Sequence, residues 1–209
     1  MKTLKISGLL AFVIMNFSSC FLFPDHEPEF VVYKLGLSFQ DASGNDLVKG
    51  IGLEWWLDST FVSEEQAQSG IVKNDLYVLD IIVSEPCKNW DNKIYNTPGS
   101  DVIRPGLGMM RYNNGYRYLY NDFNVPVGDC PKEKILTYKL KCPYVFGDEA
   151  VHEFVTYWDI PKAKVANEYV AKCYRIEFEG NEIIPQLQSY IVLNGSKHER
   201  YMAIITLND

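Results

Sequence analysis

Residues 30–40 read Phe30-Val31-Val32-Tyr33-Lys34-Leu35-Gly36-Leu37-Ser38-Phe39-Gln40. Val31, Tyr33, Leu35, Leu37 and Phe39 fall on one parity. Successive side chains of a strand point to opposite faces, so this spacing predicts a β-strand with one core-facing side. Asp41-Ala42-Ser43-Gly44-Asn45-Asp46 follows, a turn by composition. The pattern then resumes over residues 47–57. Leu47, Lys49, Ile51, Leu53, Trp55 and Leu57 share a face, opposite Val48, Gly50, Gly52, Glu54, Trp56 and Asp58.

Working outward, strands are expected over residues 75–84, 134–141, 151–158, 169–179 and 199–207. Asn114-Gly115, set between Arg111-Tyr112 and Tyr116-Arg117-Tyr118-Leu119-Tyr120, is the strongest hairpin signal in the chain. Only residues 63–69, with Glu64-Glu65 in the first turn, suggest a short helix. Eight to nine strands with turn signals between them and little helix predict an all-β, antiparallel β-sandwich. The whole chain has 209 residues, 47% of them hydrophobic and 22% charged, which excludes wholesale disorder. Aromatics at 14% favour strands, and a net charge of −7 argues against a nucleic-acid partner. A break near Val125-Pro126-Val127-Gly128 would leave only four or five strands in each half, so residues 30–209 are read as one domain. The opening strand, the turn and Leu47-Val48-Lys49-Gly50-Ile51 resemble immunoglobulin-like and transthyretin-like modules of Bacteroidetes surface proteins. That resemblance implies an Ig-like or prealbumin-like sandwich.

The N-terminus addresses location. Lys2 and Lys5 precede an apolar run over residues 6–17. Twelve helical residues rise about 18 Å, short of a bilayer core of roughly 30 Å, so the order is that of a secretory signal peptide. Phe17-Ser18-Ser19-Cys20 resembles the lipobox of bacterial lipoproteins, and a Ser-Ser-Cys ending is similar to those of Bacteroidetes. The resemblance implies a signal peptide over residues 1–19, a diacylglyceryl group on Cys20 and a lipidated tether over residues 20–29. Two or more acyl chains anchor stably where one does not. The expected product is an exported, monomeric domain held by lipid at the outer membrane, on its periplasmic or its outward face.

Beyond Cys20 stand Cys87, Cys130, Cys142 and Cys173. An even number in an exported chain points to disulfides, with three connectivities open. Cys130 and Cys142 precede proline and Cys87 follows one, which places all three at strand ends or in loops. There is no C-x-x-C, and His26, His152 and His198 are scattered, so no metal is expected. The alternate oxygens of Asp41, Ser43 and Asn45 are read as a turn, because Gly44 and the missing downstream glutamate depart from a calcium loop.

Motifs for a nucleophile elbow, a phosphate loop, a dinucleotide site and a zinc protease are absent, and no cofactor is expected. Aromatics on polar faces remain as the binding feature. Trp56 lies with Glu54 and Asp58; Trp90 lies in the polar run Cys87-Lys88-Asn89-Trp90-Asp91-Asn92; Tyr116, Tyr118 and Tyr120 line one face of the hairpin. Flat rings beside amides and carboxylates suit sugar rings, while the same rings also fill pleated cores. The irregular stretch over residues 85–108, together with the Asn114-Gly115 hairpin, is where a ligand is expected. The leading reading is a non-catalytic envelope protein binding a glycan or another envelope protein. The alternative is a sandwich-fold enzyme acting on polysaccharide or peptide, which a cluster of carboxylates in a cleft would favour.

Overall fold

The structure is a computed structural model that describes residues 30–56, 69–83, 102–103, 106–112, 114–126, 135–162, 168–191 and 197–207. In chain order the elements are β1 (Phe30–Gln40), β2 (Leu53–Trp56), β3 (Ser69–Val72), β4 (Val78–Val83) and β5 (Val102–Ile103). Next come β6 (Gly108–Arg111), β7 (Arg117–Pro126), β8 (Ile135–Lys141), the short helix α1 (Pro143–Phe146) and β9 (His152–Asp159). The last are β10 (Glu168–Val170), β11 (Lys172–Phe178), β12 (Asn181–Ile183), β13 (Gln186–Ile191) and β14 (Lys197–Thr206).

These strands form an all-β sandwich of two sheets. The first has eight strands, ordered β13-β14-β1-β7-β6-β3-β2, with β10 also paired to β1. The second has six, ordered β12-β11-β9-β8-β4-β5. Both counts together exceed the eight to nine strands expected. The first sheet is mixed rather than purely antiparallel, since β1 runs antiparallel to β7 but parallel to β10 and β14.

The alternation that defined β1 is one of faces and not of burial, because Val32, Gly36 and Ser38 between the core-facing residues are buried too. Val31, Tyr33, Leu35, Leu37 and Phe39 are all buried in the inter-sheet core. Opposite them stand Leu79, Ile81, Leu136, Tyr138, Phe154, Trp158 and Ile176 of the second sheet. Tyr33 meets Trp158 edge to face with ring centroids 5.2 Å apart, and Phe39 meets Phe154 at 5.9 Å. Trp158 donates Nε1–H to Thr156 Oγ1 at 2.7 Å, and Thr156 donates to the Leu136 carbonyl at 3.0 Å, so the buried polar atoms of this pair are satisfied. Full burial of each such side chain contributes roughly 1.5–3 kcal/mol.

Two turns of one design flank the first sheet. In one, Asp41 N–H donates to Asn45 C=O and Gly44 N–H to Asp41 C=O; in the other, Tyr112 N–H donates to Tyr116 C=O and Gly115 N–H to Tyr112 C=O. Gly44 and Gly115 sit at φ 82° and 89°, which glycine adopts without steric cost. The expected hairpin is therefore present, with Arg111 opposite Arg117, but it closes through a longer loop than a two-residue Asn-Gly turn.

Three expected strands are rearranged. Over residues 47–57, regular pairing begins only at Leu53, because Gly50 takes φ 84° and the Asp46 carboxylate accepts the Val48 N–H in a local turn. Leu47, Val48 and Ile51 all pack on the core, so the two faces expected from the alternation are not kept here. Residues 75–77 form the end of a turn, with Leu76 N–H bonded to Lys73 C=O, and pairing starts at Val78. The run 169–179 is split at Ala171 between β10 in the first sheet and β11 in the second. Ala171 is fully buried and donates its N–H to Val32 C=O at 2.9 Å, so a methyl-sized side chain marks the crossing between sheets. Of the expected helix over residues 63–69, Ser69 instead begins β3 and the rest lies outside the described residues.

Candidate functional site

The hairpin tyrosines share one face, as the sequence implies, on the side of the first sheet away from the inter-sheet core. Their rings are engaged by the protein itself. Tyr118 is 3% exposed, meets Tyr112 edge to face at 5.9 Å, packs with Met202 and accepts a hydrogen bond from Asn114 Nδ2 at 2.8 Å. Burial raises its phenol above the usual range. Tyr116 donates its hydroxyl to Gly44 C=O at 3.1 Å and so ties the two turns together. Tyr120 lies across Gly108, and the Arg200 guanidinium covers the ring 4.1 Å from its centroid. Arg200 is itself 2% exposed and grips both carboxylate oxygens of Asp122. This face is a small second core in which a cation, rings and methionines close over one another.

Of the other candidates, Trp56 pairs in register with Gly70, after an irregularity between Leu53 and Trp55 that interrupts the period-two pattern. Cys20, Cys87, Trp90 and Cys130 lie outside the described residues. Cys142 and Cys173 are buried free thiols, so neither forms a disulfide. Burial pushes the Cys173 thiol up to about 12 and also raises Cys142, which keeps both protonated and unreactive near neutral pH. The Asp41 carboxylate is occupied by its own loop. It accepts from the Ser43 and Asn45 amides at 2.9 and 2.8 Å and from Asn45 Nδ2 at 2.7 Å, and these bonds, chiefly those from Asn45, lower its pKa. Among the described residues no three His, Cys, Asp or Glu side chains are placed to hold a metal ion.

A site the sequence reading missed lies on the outer face of the second sheet. Between Cys173 and Arg175 the pairing of β11 with β9 slips by one residue: Cys173 opposes Trp158, yet Arg175 opposes Tyr157. Tyr174 is the extra residue of this β-bulge. Cys173 and Ile176 are buried, whereas Tyr174 is 53% exposed and Arg175 half-buried beside it. A bulge re-aims side chains in this way. The Arg175 guanidinium stands 3.7 Å over the Tyr157 ring and reaches Glu177 at 3.4 Å and Glu182 at 3.6 Å. Tyr157 donates its hydroxyl to Glu177 at 2.9 Å, a bond only the protonated phenol can give, and its pKa is raised accordingly. The Tyr174 ring lies 6.3 Å from that of Tyr157. Ile135, across from Tyr157, is 44% exposed. The patch combines an open aromatic ring, an aliphatic neighbour and carboxylates held in place by an arginine. Such a surface can stack on a flat apolar face and accept hydrogen bonds around it.

The flanking rows of this sheet carry further ion pairs, Lys139 to Glu153 at 2.7 Å and Lys141 to Glu149 at 2.6 Å, all partly exposed and worth little in stability. At the same end as α1, His152 stacks on Phe146 at 3.8 Å, with Asp148 on Nε2 and Glu179 near Nδ1. The two acids approach opposite nitrogens, which fixes the ring rather than converging on a substrate.

The fold is an all-β sandwich in which the described hairpin tyrosines are covered by their own neighbours, whereas Tyr174 on the second sheet is open. No family model, no curated protein and no solved structure matches the chain. No helix among the described residues is long and apolar enough to cross a membrane.

Proposed function

We propose that the chain is a lipid-anchored envelope protein whose sandwich acts as a non-catalytic binding module, with the Tyr157–Tyr174 face as its contact surface and a glycan as its ligand. The anchor rests on Lys2, Lys5, the apolar run over residues 6–17 and Phe17-Ser18-Ser19-Cys20. The observation that carries the binding reading is Tyr174, a large ring 53% exposed at a bulge, 6.3 Å from the ring of Tyr157, whose hydroxyl is bonded to Glu177. A pyranose can lay its C–H face on that ring while its hydroxyls donate to the two carboxylates. The same face would serve a protein partner of the envelope, and that outcome is distinguished by the test.

The experiment has two arms. Cys20→Ala should move the protein from the membrane to the soluble fraction; retention of that variant in membranes refutes the anchor. The full chain on a glycan array should give a binding class that Tyr174→Ala loses by roughly 5- to 150-fold, the equivalent of about 1–3 kcal/mol for one stacked ring. Binding that Tyr174→Ala leaves unchanged removes this face from the ligand site.

A further inference from the structure

Between the two sheets lies a cavity of about 20 Å³ walled mostly by leucines, among them Leu35, Leu79, Leu107 and Leu140. Two polar side chains also line it, Asn121 from β7 of the first sheet and Tyr138 from β8 of the second. Both are sealed from bulk solvent, at 6% and 3% exposure. Asn121 donates Nδ2–H to Gly106 C=O at 3.0 Å, which sets the orientation of the amide and leaves Oδ1 facing no donor among the described residues. The Tyr138 hydroxyl also lacks a partner among the described residues. Burial pushes this phenol well above its usual range, so it remains a proton donor throughout the accessible pH range.

A buried acceptor and a buried donor in one apolar cavity are complementary to a single molecule that can both give and take a proton. We infer that the cavity binds one ordered water, which accepts the Tyr138 O–H and donates to Asn121 Oδ1, linking the two sheets through the middle of the core. A water needs roughly 10–15 Å³ of such space, so the cavity has room for one. A cavity walled by leucine alone would stay dry; the two polar atoms supply the partners that an internal water requires. Without it, each would keep the full desolvation penalty of an unmade bond.

The test uses the sign of a stability change. In the hydrated cavity, Tyr138→Phe removes one of the two partners of the water and should lower Tm by about 2–4 °C. In a dry cavity the same change deletes an unsatisfied hydroxyl from apolar surroundings, so Tm should rise, and a rise overturns the inference. The second measurement is direct. Cross-relaxation from a long-lived water to the Asn121 side-chain amide protons is expected in nuclear magnetic resonance spectra of the full chain. Absence of that signal also overturns it.

Discussion

Gly108 offers the sharpest test of how the outer face of the first sheet is built. A Cβ at this position would stand inside the van der Waals envelope of the Tyr120 ring, 2.6 Å from Cε1 and 2.8 Å from the hydroxyl oxygen. The ring cannot simply lift, because Arg200 lies over it at 4.1 Å and is held there by Asp122. Gly108→Ala must therefore displace Tyr120 and disturb the guanidinium above it. Overpacking of this kind costs about 1–3 kcal/mol, and loss of the cation–π contact adds about 0.5–2 kcal/mol. Against this, alanine gains about 0.5–1 kcal/mol over glycine in strand backbone entropy. The balance is a net loss of about 2 kcal/mol and a fall in Tm of roughly 4–8 °C for a chain of this size. Thermal unfolding followed by far-ultraviolet circular dichroism reads it. A double-mutant cycle with Tyr120→Ala isolates the clash: the pair should couple by at least about 1 kcal/mol, since alanine at 108 is harmless once the ring is gone. An unchanged or higher Tm for Gly108→Ala, or additive effects in the cycle, would refute this packing.

Two further outcomes follow from the same geometry. In the native protein at pH 8, Cys142 and Cys173 should resist alkylation, because burial holds both as thiols, and should react only after denaturation; site-resolved mass spectrometry checks this, and rapid native labelling of either contradicts their placement. The Asp41 carboxylate has a folded pKa below its ordinary value of about 3.9, so its stabilisation of the turn is complete above that value and lost as pH falls through the folded one. Amide hydrogen exchange at Ser43 and Asn45 should accelerate, relative to other turn amides, as the pH drops below about 4; protection independent of pH would rule out the carboxylate as their acceptor.

How much of this was legible depends on whether a feature is written locally. The β1 strand was readable because its five odd-numbered residues from Val31 to Phe39 are hydrophobic and all join the inter-sheet core. The hairpin was readable because Gly115 must supply a positive φ. The change of sheet at Ala171 was not, since residues 169–179 keep a strand-like composition while their hydrogen-bonding partners change from β1 to β9. The bulge was hidden for the same reason: Tyr174 and Arg175 look like one inward and one outward residue until the partner strand shows that two residues face one. The tyrosines of the hairpin share one face, as their spacing implies, but their neighbours on it come from distant parts of the chain. What covers Tyr120 is Arg200, 80 positions downstream, and what lies beneath it is a glycine on the neighbouring strand, neither of which local spacing can report.

The two outer faces of the sandwich solve opposite problems, and that contrast is what directs the functional reading. On the first sheet, Gly36 within β1 and Gly108 at the start of β6 clear space, and the long side chains around them fold down into it. Arg200 approaches where a Gly36 Cβ would be, and Tyr120 fills the space over Gly108. The result is that Tyr112, Tyr118, Arg200 and Met202 are all below 10% exposure on a face that no other sheet covers among the described residues, while Ile204 beyond them is 39% exposed. The rings of Tyr112 and Tyr118 are spent on intramolecular contact. On the second sheet no glycine lies in β8, β9 or β11, and the bulge lifts an extra ring instead of creating a hollow. Tyr174 and Ile135 stay open, and Arg175 pairs with Glu177 and Glu182 without burying either carboxylate. In the proposed contact, a ring already held outward on a paired strand would lose little conformational entropy when a ligand arrives.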